Sequence, residues 1–123
     1  MSTAAESPHQ GGVPQPAATV EELRSALTRV SPDAVTTFDA ERAEAVARAR
    51  SEVSAAPMRR FVRQWALHVA IARHPQQAAR LRRLEARAAE VTDPAEARAI
   101  ASEIGRILDK AAAEAGLPHG GES

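Results

Sequence analysis

Hydrophobic residues recur at helical spacing in five successive stretches of the chain. In the first stretch Val20, Leu23, Leu27 and Val30 share one face, with charged residues between them. Nowhere do apolar and polar residues alternate as they do in a β-strand. The pattern therefore predicts an all-α fold, a compact bundle of about five helices. The predicted helices cover about residues 20–30, 32–53, 57–73, 75–91 and 94–115.

Residues typical of helix ends support these bounds. Thr19 and Glu22 form a capping box, in which the hydroxyl is expected to accept from the Glu22 N–H and the carboxylate from the Thr19 N–H. Asp93 and Pro94 are favoured at an N-cap and at the first helical position. Gly116 predicts that the last helix ends in a Schellman motif, because glycine tolerates the left-handed conformation that this motif requires.

The second and third helices contain the aromatic residues. The apolar stripe of the second helix is expected to run through Phe38 to Val53, with Glu41 on the solvent side. The third helix has an apolar arc around Phe61 and Trp65 and further apolar residues on its opposite side, so we predict that it is the central helix. The predicted core consists of Phe38, Phe61, Trp65, Val69, Leu81, Leu84 and Ile104.

The length of 123 residues suits one domain, predicted over residues 19–117. Residues 1–18 are rich in proline, glycine and small polar side chains, which predicts a disordered tail, and residues 118–123 are expected to be flexible. Alanine supplies much of the apolar content and buries little surface per residue. We therefore expect the monomer to be marginally stable and to depend on a partner.

Residues needed for several kinds of chemistry are missing from the sequence. There is no cysteine, no G-x-x-x-x-G-K-[ST] phosphate loop and no G-x-S-x-G elbow. His68 and His74 are six residues apart, which does not match the i, i+4 spacing of a helical metal pair. We expect no enzyme, no cofactor, no metal and no small-molecule substrate. No window reaches roughly 18 apolar residues and no secretory leader precedes the helices, so we expect no membrane insertion and a cytoplasmic location.

Charge is neutral in sum but uneven along the chain. Between residues 58 and 88 there are eight arginines against Glu85 alone. Arg80, Arg83 and Arg87 recur on one face of the fourth helix, and Arg73 lies shortly before it. These four arginines are the candidate contact residues. They allow a solvated surface, a phosphate-binding surface, or a surface for an acidic protein or a second copy of the chain. The near-neutral pI of 6.9 disfavours nucleic acid.

Two segments carry a family resemblance. "EELRSALTRVSPDAVTTFDAERAEAVARA", and then "APMRRFVRQWALHVAI" followed by "HPQ", resemble a group of small, uncharacterised all-helical proteins of actinobacteria classed as a domain of unknown function. The resemblance covers about residues 21–76 and is most specific around Ser31-Pro32, Phe38, Ala56-Pro57-Met58 and Trp65. These are capping and packing positions, so the resemblance implies a fold rather than a chemistry. The last two predicted helices are expected to depart from the group.

These observations favour a non-enzymatic cytoplasmic protein-interaction or regulatory module. By analogy with the partner-binding halves of small regulatory pairs, the module is expected to be antitoxin-like and to present its arginine-rich fourth helix to a protein partner. The alternative is a nucleic-acid-binding regulator that contacts phosphates through the same arginine cluster.

Overall fold

A computed structural model describes residues 13–117. Within that range the chain forms five α-helices and no strand, which confirms the all-α prediction. A single 3-10 turn, Pro32–Ala34, separates the first two helices. The helices are α1 (Val20–Val30), α2 (Val35–Glu52), α3 (Ala56–Ala72), α4 (Pro75–Glu90) and α5 (Pro94–Glu114).

Side-chain caps begin α1 and α5 as the sequence predicts. The Thr19 hydroxyl accepts a hydrogen bond from the Glu22 N–H at 3.2 Å, and the Asp93 carboxylate accepts from the Glu96 N–H at 2.9 Å. The second bond of the capping box is not formed, because the Thr19 N–H donates to the Ala17 carbonyl instead. The Ala17 carbonyl, before α1, therefore accepts the hydrogen bond that the Glu22 carboxylate was expected to accept.

Two helices end in the same Schellman motif with different residues at its left-handed position. At the end of α5, Gly116 has a φ of 74° and the Leu117 N–H donates to the Ala112 carbonyl at 2.8 Å, as predicted. At the end of α2 the left-handed residue is Val53, with a φ of 51°. Its side chain is 90% exposed, so the prediction that Val53 continues the apolar stripe is wrong. The backbone reverses at this residue and turns it away from the core.

The first core lies among α1, α2 and α3 and is built around three rings. The centroids of Phe38 and Phe61 are 5.0 Å apart, and those of Phe38 and Trp65 are 5.2 Å apart in an edge-on arrangement. Its buried members are Leu23, Ala26, Leu27, Phe38, Phe61, Trp65, Ala66 and Val69. We call this cluster the aromatic core.

Glu41 belongs to the aromatic core's polar edge rather than to open solvent. Its Oε1 accepts hydrogen bonds from the Trp65 Nε1 and the Gln64 Nε2, both at 3.0 Å. A buried indole N–H requires an acceptor, and Glu41 on the facing helix supplies it. The expectation that Glu41 stays on the solvent face is corrected by this bond.

The second core is smaller and lies between α4 and α5. Leu81 and Leu84 of α4 pack against Ile100 and Ile107 of α5. Ile104, predicted as core, is partly buried at the edge of this cluster, whereas the other six predicted core residues are buried. We call this cluster the aliphatic core, and α4 with α5 the hairpin.

Helix α3 is central, as predicted, and packs against each of the other four helices. Its Phe61 and Trp65 enter the aromatic core, while Ile71, near its C-terminal end, packs against the aliphatic core. Ala70 between them is fully buried, which lets a neighbouring helix approach closely. The hairpin is therefore packed against the rest of the molecule through α3.

The segment before α1 lies against α3. The Gln15 side-chain amide donates to the Ala66 carbonyl at 3.2 Å, and the Arg73 guanidinium donates to the Val13 carbonyl at 3.0 Å. The prediction of a disordered tail is therefore wrong for residues 13–18, because this segment makes specific hydrogen bonds with α3 and Arg73. The rest of that predicted tail, residues 1–12, and the predicted flexible residues 118–123 lie outside the described residues.

Candidate partner-binding surfaces

Two of the predicted contact arginines on α4 are paired with carboxylates of α5. Arg80 binds Glu103 at 2.5 Å, and Arg87 forms an ion pair with Glu96. Arg87 lies two turns after Arg80 on α4, whereas its partner Glu96 lies two turns before Glu103 on α5. This reversed order is what an antiparallel hairpin requires. Both are substantially exposed, so each contributes at most about 1 kcal/mol to stability. Their larger consequence is that the guanidinium groups of Arg80 and Arg87 are already paired with carboxylates of α5.

Arg83 lies on the other side of α4 from the aliphatic core, beside Arg82. Both residues are exposed, and neither forms an ion pair with any residue between 13 and 117. Ala86, one turn further along, is also exposed. We call Arg82, Arg83 and Ala86 the α4 outer face. The α4 outer face therefore contains one of the four predicted contact residues, Arg83, whereas Arg80 and Arg87 are paired with α5.

Arg73 is placed at the junction of the two cores. Its side chain is only 17% exposed and binds the Glu114 carboxylate at 3.1 Å as well as the Val13 carbonyl. Glu114 also binds the His74 Nε2 at 3.0 Å. The structure thus gives Arg73 a joining role between α3, α5 and the N-terminal segment. Sequence reasoning missed this role because Glu114 is 41 residues away along the chain.

His68 is half-buried against the aromatic core. Its ring centroid is 4.8 Å from that of Trp65, and its Nε2 lies 3.5 Å from the Ser31 hydroxyl. Burial lowers the pKa of His68 below its ordinary value, because a charged imidazolium loses hydration there. Among the described residues, no three histidine, cysteine, aspartate or glutamate side chains are grouped so that they could hold a metal ion.

An apolar groove lies where the N-terminal segment, the start of α3 and the end of α5 meet. It has a volume of about 400 Å³. The residues lining it are Ala18, Ala55, Met58, Arg59, Val62, Arg63 and Leu117. We call it the α3 groove. Met58 and Val62 were predicted as part of the core-facing arc of α3, and each touches the aromatic core on one side and the groove on the other.

Arg59 and Arg63 form the charged edge of the α3 groove. They are four residues apart on α3, and so lie on the same side of the helix. Both are exposed, and no carboxylate of residues 13–117 forms an ion pair with either. The sequence does contain a signal for this groove. Met58 and Val62 belong to the broad apolar arc of α3, and Arg59 and Arg63 flank them.

A second depression lies between α2 and α3 on the other side of Phe61. Its volume is about 240 Å³, and it is lined by side chains of both charges, including Glu44, Arg48 and Arg60. Acidic and basic groups are mixed there, so it has no preference for one sign of charge. Arg60 therefore stands beside carboxylates, unlike its neighbours Arg59 and Arg63.

None of the helices in the described range, 13–117, combines the length and the apolar character that a bilayer span demands.

Comparison with known proteins finds one family. The model of a family of unknown function (DUF6247) matches residues 11–113 of the chain. The match extends well beyond the predicted 21–76 and includes the hairpin almost to the end of α5, so the hairpin is not a departure from the family. Nothing matches among curated proteins or among solved structures. Since the match spans most of its length, the chain belongs to this family of unknown function, DUF6247.

Proposed function

We propose that the protein is a non-enzymatic interaction module that binds an acidic surface of another protein through the α4 outer face. The observation that supports this proposal is the contrast within α4. Arg80 and Arg87 are paired with α5, whereas Arg83 and its neighbour Arg82 point outward without a carboxylate partner in residues 13–117. A guanidinium group can bind a carboxylate through two parallel hydrogen bonds, and arginine is enriched at the centres of protein interfaces.

The same contrast favours a protein partner over nucleic acid. A duplex approaching α4 would bring its phosphates close to Glu96 and Glu103, which already neutralise two of the four predicted contact arginines. Affinity for duplex DNA depends on how many phosphates are neutralised, and two free arginines are few for that purpose. A protein partner can place one or two carboxylates at Arg82 and Arg83 and avoid the glutamates.

A regulatory, antitoxin-like role in the cytoplasm is the more specific form of this proposal. It requires a partner whose activity is blocked when the module binds. Small helical modules with a neutral net charge and a localised basic surface suit such pairing, because charge complementarity speeds and orients association.

The first experiment measures binding to duplex DNA of about 30 base pairs at roughly 50 mM salt, where electrostatic attraction is strongest. We expect no measurable binding. Tight binding that is lost in Arg83→Glu, with the fold intact by circular dichroism, would instead establish the nucleic-acid alternative.

The second experiment identifies the partner and tests the surface. The tagged chain is used to isolate a binding protein, which is then purified and titrated by calorimetry. We expect Arg83→Glu to weaken binding at least about tenfold, because it removes an attraction and adds a repulsion. Arg98→Glu on α5 makes the same change of charge at another exposed position and should have less than a twofold effect. An equal loss of partner affinity in both variants would contradict the assignment of the binding site to the α4 outer face.

A second copy of the chain is a further possible occupant of the α4 outer face. Light scattering over a range of concentrations, with and without Arg83→Glu, distinguishes this case. A dimer that dissociates in the variant would assign the surface to self-association.

A further inference from the structure

We infer that the α3 groove is a docking site for an acidic, amphipathic helix of a partner protein. In this arrangement the partner's apolar side chains enter between Met58, Val62 and Leu117, and its carboxylates meet Arg59 and Arg63. The inference rests on the proposed function only in taking the partner to be a protein. It concerns a different face from the α4 outer face, so the two can be tested separately.

The apolar half of the argument is the shape of the groove. Its volume of about 400 Å³ is within the range of sites that bury apolar ligand groups. Three separate parts of the chain form its walls: Ala18 before α1, Met58 and Val62 on α3, and Leu117 after α5. Met58 and Val62 are also packed against the aromatic core, which keeps the floor of the groove in place. The groove is thus preformed and binding requires little rearrangement.

A methionine at this position suits a helix partner. The methionine side chain is unbranched and can adjust to apolar groups of different shape, and for that reason methionine is frequent at surfaces that bind helices. Ala18 and Ala55 in the groove wall are small, so a partner helix can approach closely.

The charged half of the argument is the pair of arginines at the edge. Two like charges at i and i+4 on a helix repel each other. Elsewhere in the described chain, Arg24, Arg80 and Arg87 each have a carboxylate partner, but Arg59 and Arg63 have none among residues 13–117. A partner that places glutamate or aspartate at this edge removes the repulsion. The groove therefore selects an acidic segment over a basic one.

Val53 is an exposed apolar residue close in sequence to the groove wall. It is the large hydrophobic residue that the structure leaves exposed within residues 13–117, and it lies two positions before Ala55 in the groove wall. The left-handed turn at Val53 points it away from the core that a helical continuation would have reached. An amphipathic helix in the groove, with apolar residues at i, i+3, i+4 and i+7, can extend its contact toward this side chain.

The inference is tested with the ¹⁵N-labelled full-length chain and a synthetic peptide. The probe is a helical peptide of about 16 residues with leucine at i, i+3, i+4 and i+7 and glutamate at the flanking positions. One control peptide carries lysine in place of glutamate, and another carries serine in place of leucine. We expect NMR signals of residues 55–63 and Leu117 to shift with the acidic probe. Both control peptides should bind at least about tenfold more weakly, because each removes one half of the recognition.

Matched arginine variants on the same helix make the test specific. Arg63→Glu is expected to weaken binding of the acidic peptide at least about tenfold, and Arg60→Glu, which faces the mixed-charge depression, less than twofold. Both residues are exposed, so neither change should unfold the chain, which circular dichroism verifies. Leu117→Ser tests the apolar wall from a position outside the helices and should also weaken binding.

Several outcomes would overturn the inference. One is equal affinity for the acidic and the lysine peptide. Another is an equal loss of affinity for the acidic peptide in Arg63→Glu and Arg60→Glu. Shifts on the α4 outer face instead of the groove would reject the groove while supporting the proposed function. If unlabelled chain added without peptide shifts the groove signals, the occupant is a second copy. If Glu122→Gln alone shifts them, the occupant is the chain's own last residues.

Discussion

The aromatic core and the aliphatic core hold their helices together by different means. In the aromatic core three rings with centroids 5.0 to 6.5 Å apart are surrounded by side chains from three helices. In the aliphatic core four side chains, each 6% to 8% exposed, lie between only two helices. The hairpin adds exposed ion pairs on its surface, Arg80 with Glu103 and Arg87 with Glu96.

The difference teaches where stability resides in a protein poor in aromatic residues. Each ring buries far more surface than an alanine or a valine, so the few rings present dominate the half that contains them. The hairpin has less buried surface and depends on α3 for its third wall. We therefore expect the hairpin to open locally at a lower free energy than the α1 to α3 half.

The largest expected effect comes from Trp65→Ala. The side chain is 4% exposed and contacts both phenylalanines, so its removal should lower the free energy of unfolding by about 3–5 kcal/mol. That is a large share of the stability of a small domain, and the variant should be largely unfolded at room temperature in a circular dichroism melt. A melting temperature equal to that of the unchanged protein would show that the aromatic core is not what holds α1 to α3 together.

A smaller effect is expected from Leu84→Ala in the aliphatic core. The substitution should lower the free energy of unfolding by about 2–3 kcal/mol, since the hairpin can partly collapse around the lost side chain. Hydrogen exchange should rise first in α4 and the first half of α5, while amides around Trp65 stay protected. Simultaneous loss of protection in both halves would mean that the two cores unfold as one unit and would remove the distinction between them.

The two Schellman motifs offer a third, more delicate comparison. Val53→Gly should stabilise the protein by about 0.5–1 kcal/mol, because glycine adopts the left-handed conformation without the strain that valine has there. Gly116→Ala should destabilise it by about 1 kcal/mol, and within residues 13–117 no atom beyond the adjacent residues lies within 4 Å of the added methyl group to obscure the backbone effect. Urea unfolding measures both. If Val53→Gly destabilises, contacts of the valine side chain outweigh its backbone strain.

The mildest expected effect is a loss of folding stability at acid pH that arises at the aromatic core. The pKa of His68 is lowered in the folded chain from its ordinary 6.5, so the unfolded chain binds the proton more readily. Stability should therefore be unaffected above about pH 7 and should fall as the pH drops below about 6.5. Denaturant unfolding at pH 7 and pH 5 measures the loss, and His68→Gln should reduce it. If the variant loses as much unfolding free energy between pH 7 and pH 5 as the unchanged protein, other groups cause the acid sensitivity.

Much of the fold could be predicted because it is encoded locally. Helix bounds follow from periodicity within a few turns, and caps such as Thr19 and Gly116 act on neighbouring backbone groups. The position of Val53 was missed for a related reason. Periodicity alone extended the stripe by one residue, and nothing in a valine signals a left-handed turn.

The candidate surfaces were less predictable because they depend on distant pairings. That Arg80 and Arg87 meet α5 glutamates follows from the register of an antiparallel hairpin, which the helix pattern does not fix. The α3 groove requires Ala18, Met58 and Leu117 to meet, and these residues lie near the start, the middle and the end of the described chain. Sequence reasoning found the arginines but could not tell which ones were already neutralised.

The carboxylate of Glu114 links several parts of the molecule. Through Arg73 and His74 it joins α5 to the end of α3, and through Arg73 it also reaches the segment that runs from Val13 toward Ala18. The contact between the two halves and the position of that segment, whose last residue forms one wall of the α3 groove, therefore both depend on the Arg73 guanidinium. A ligand that displaced this segment would therefore also disturb the contacts that Arg73 makes between the two halves.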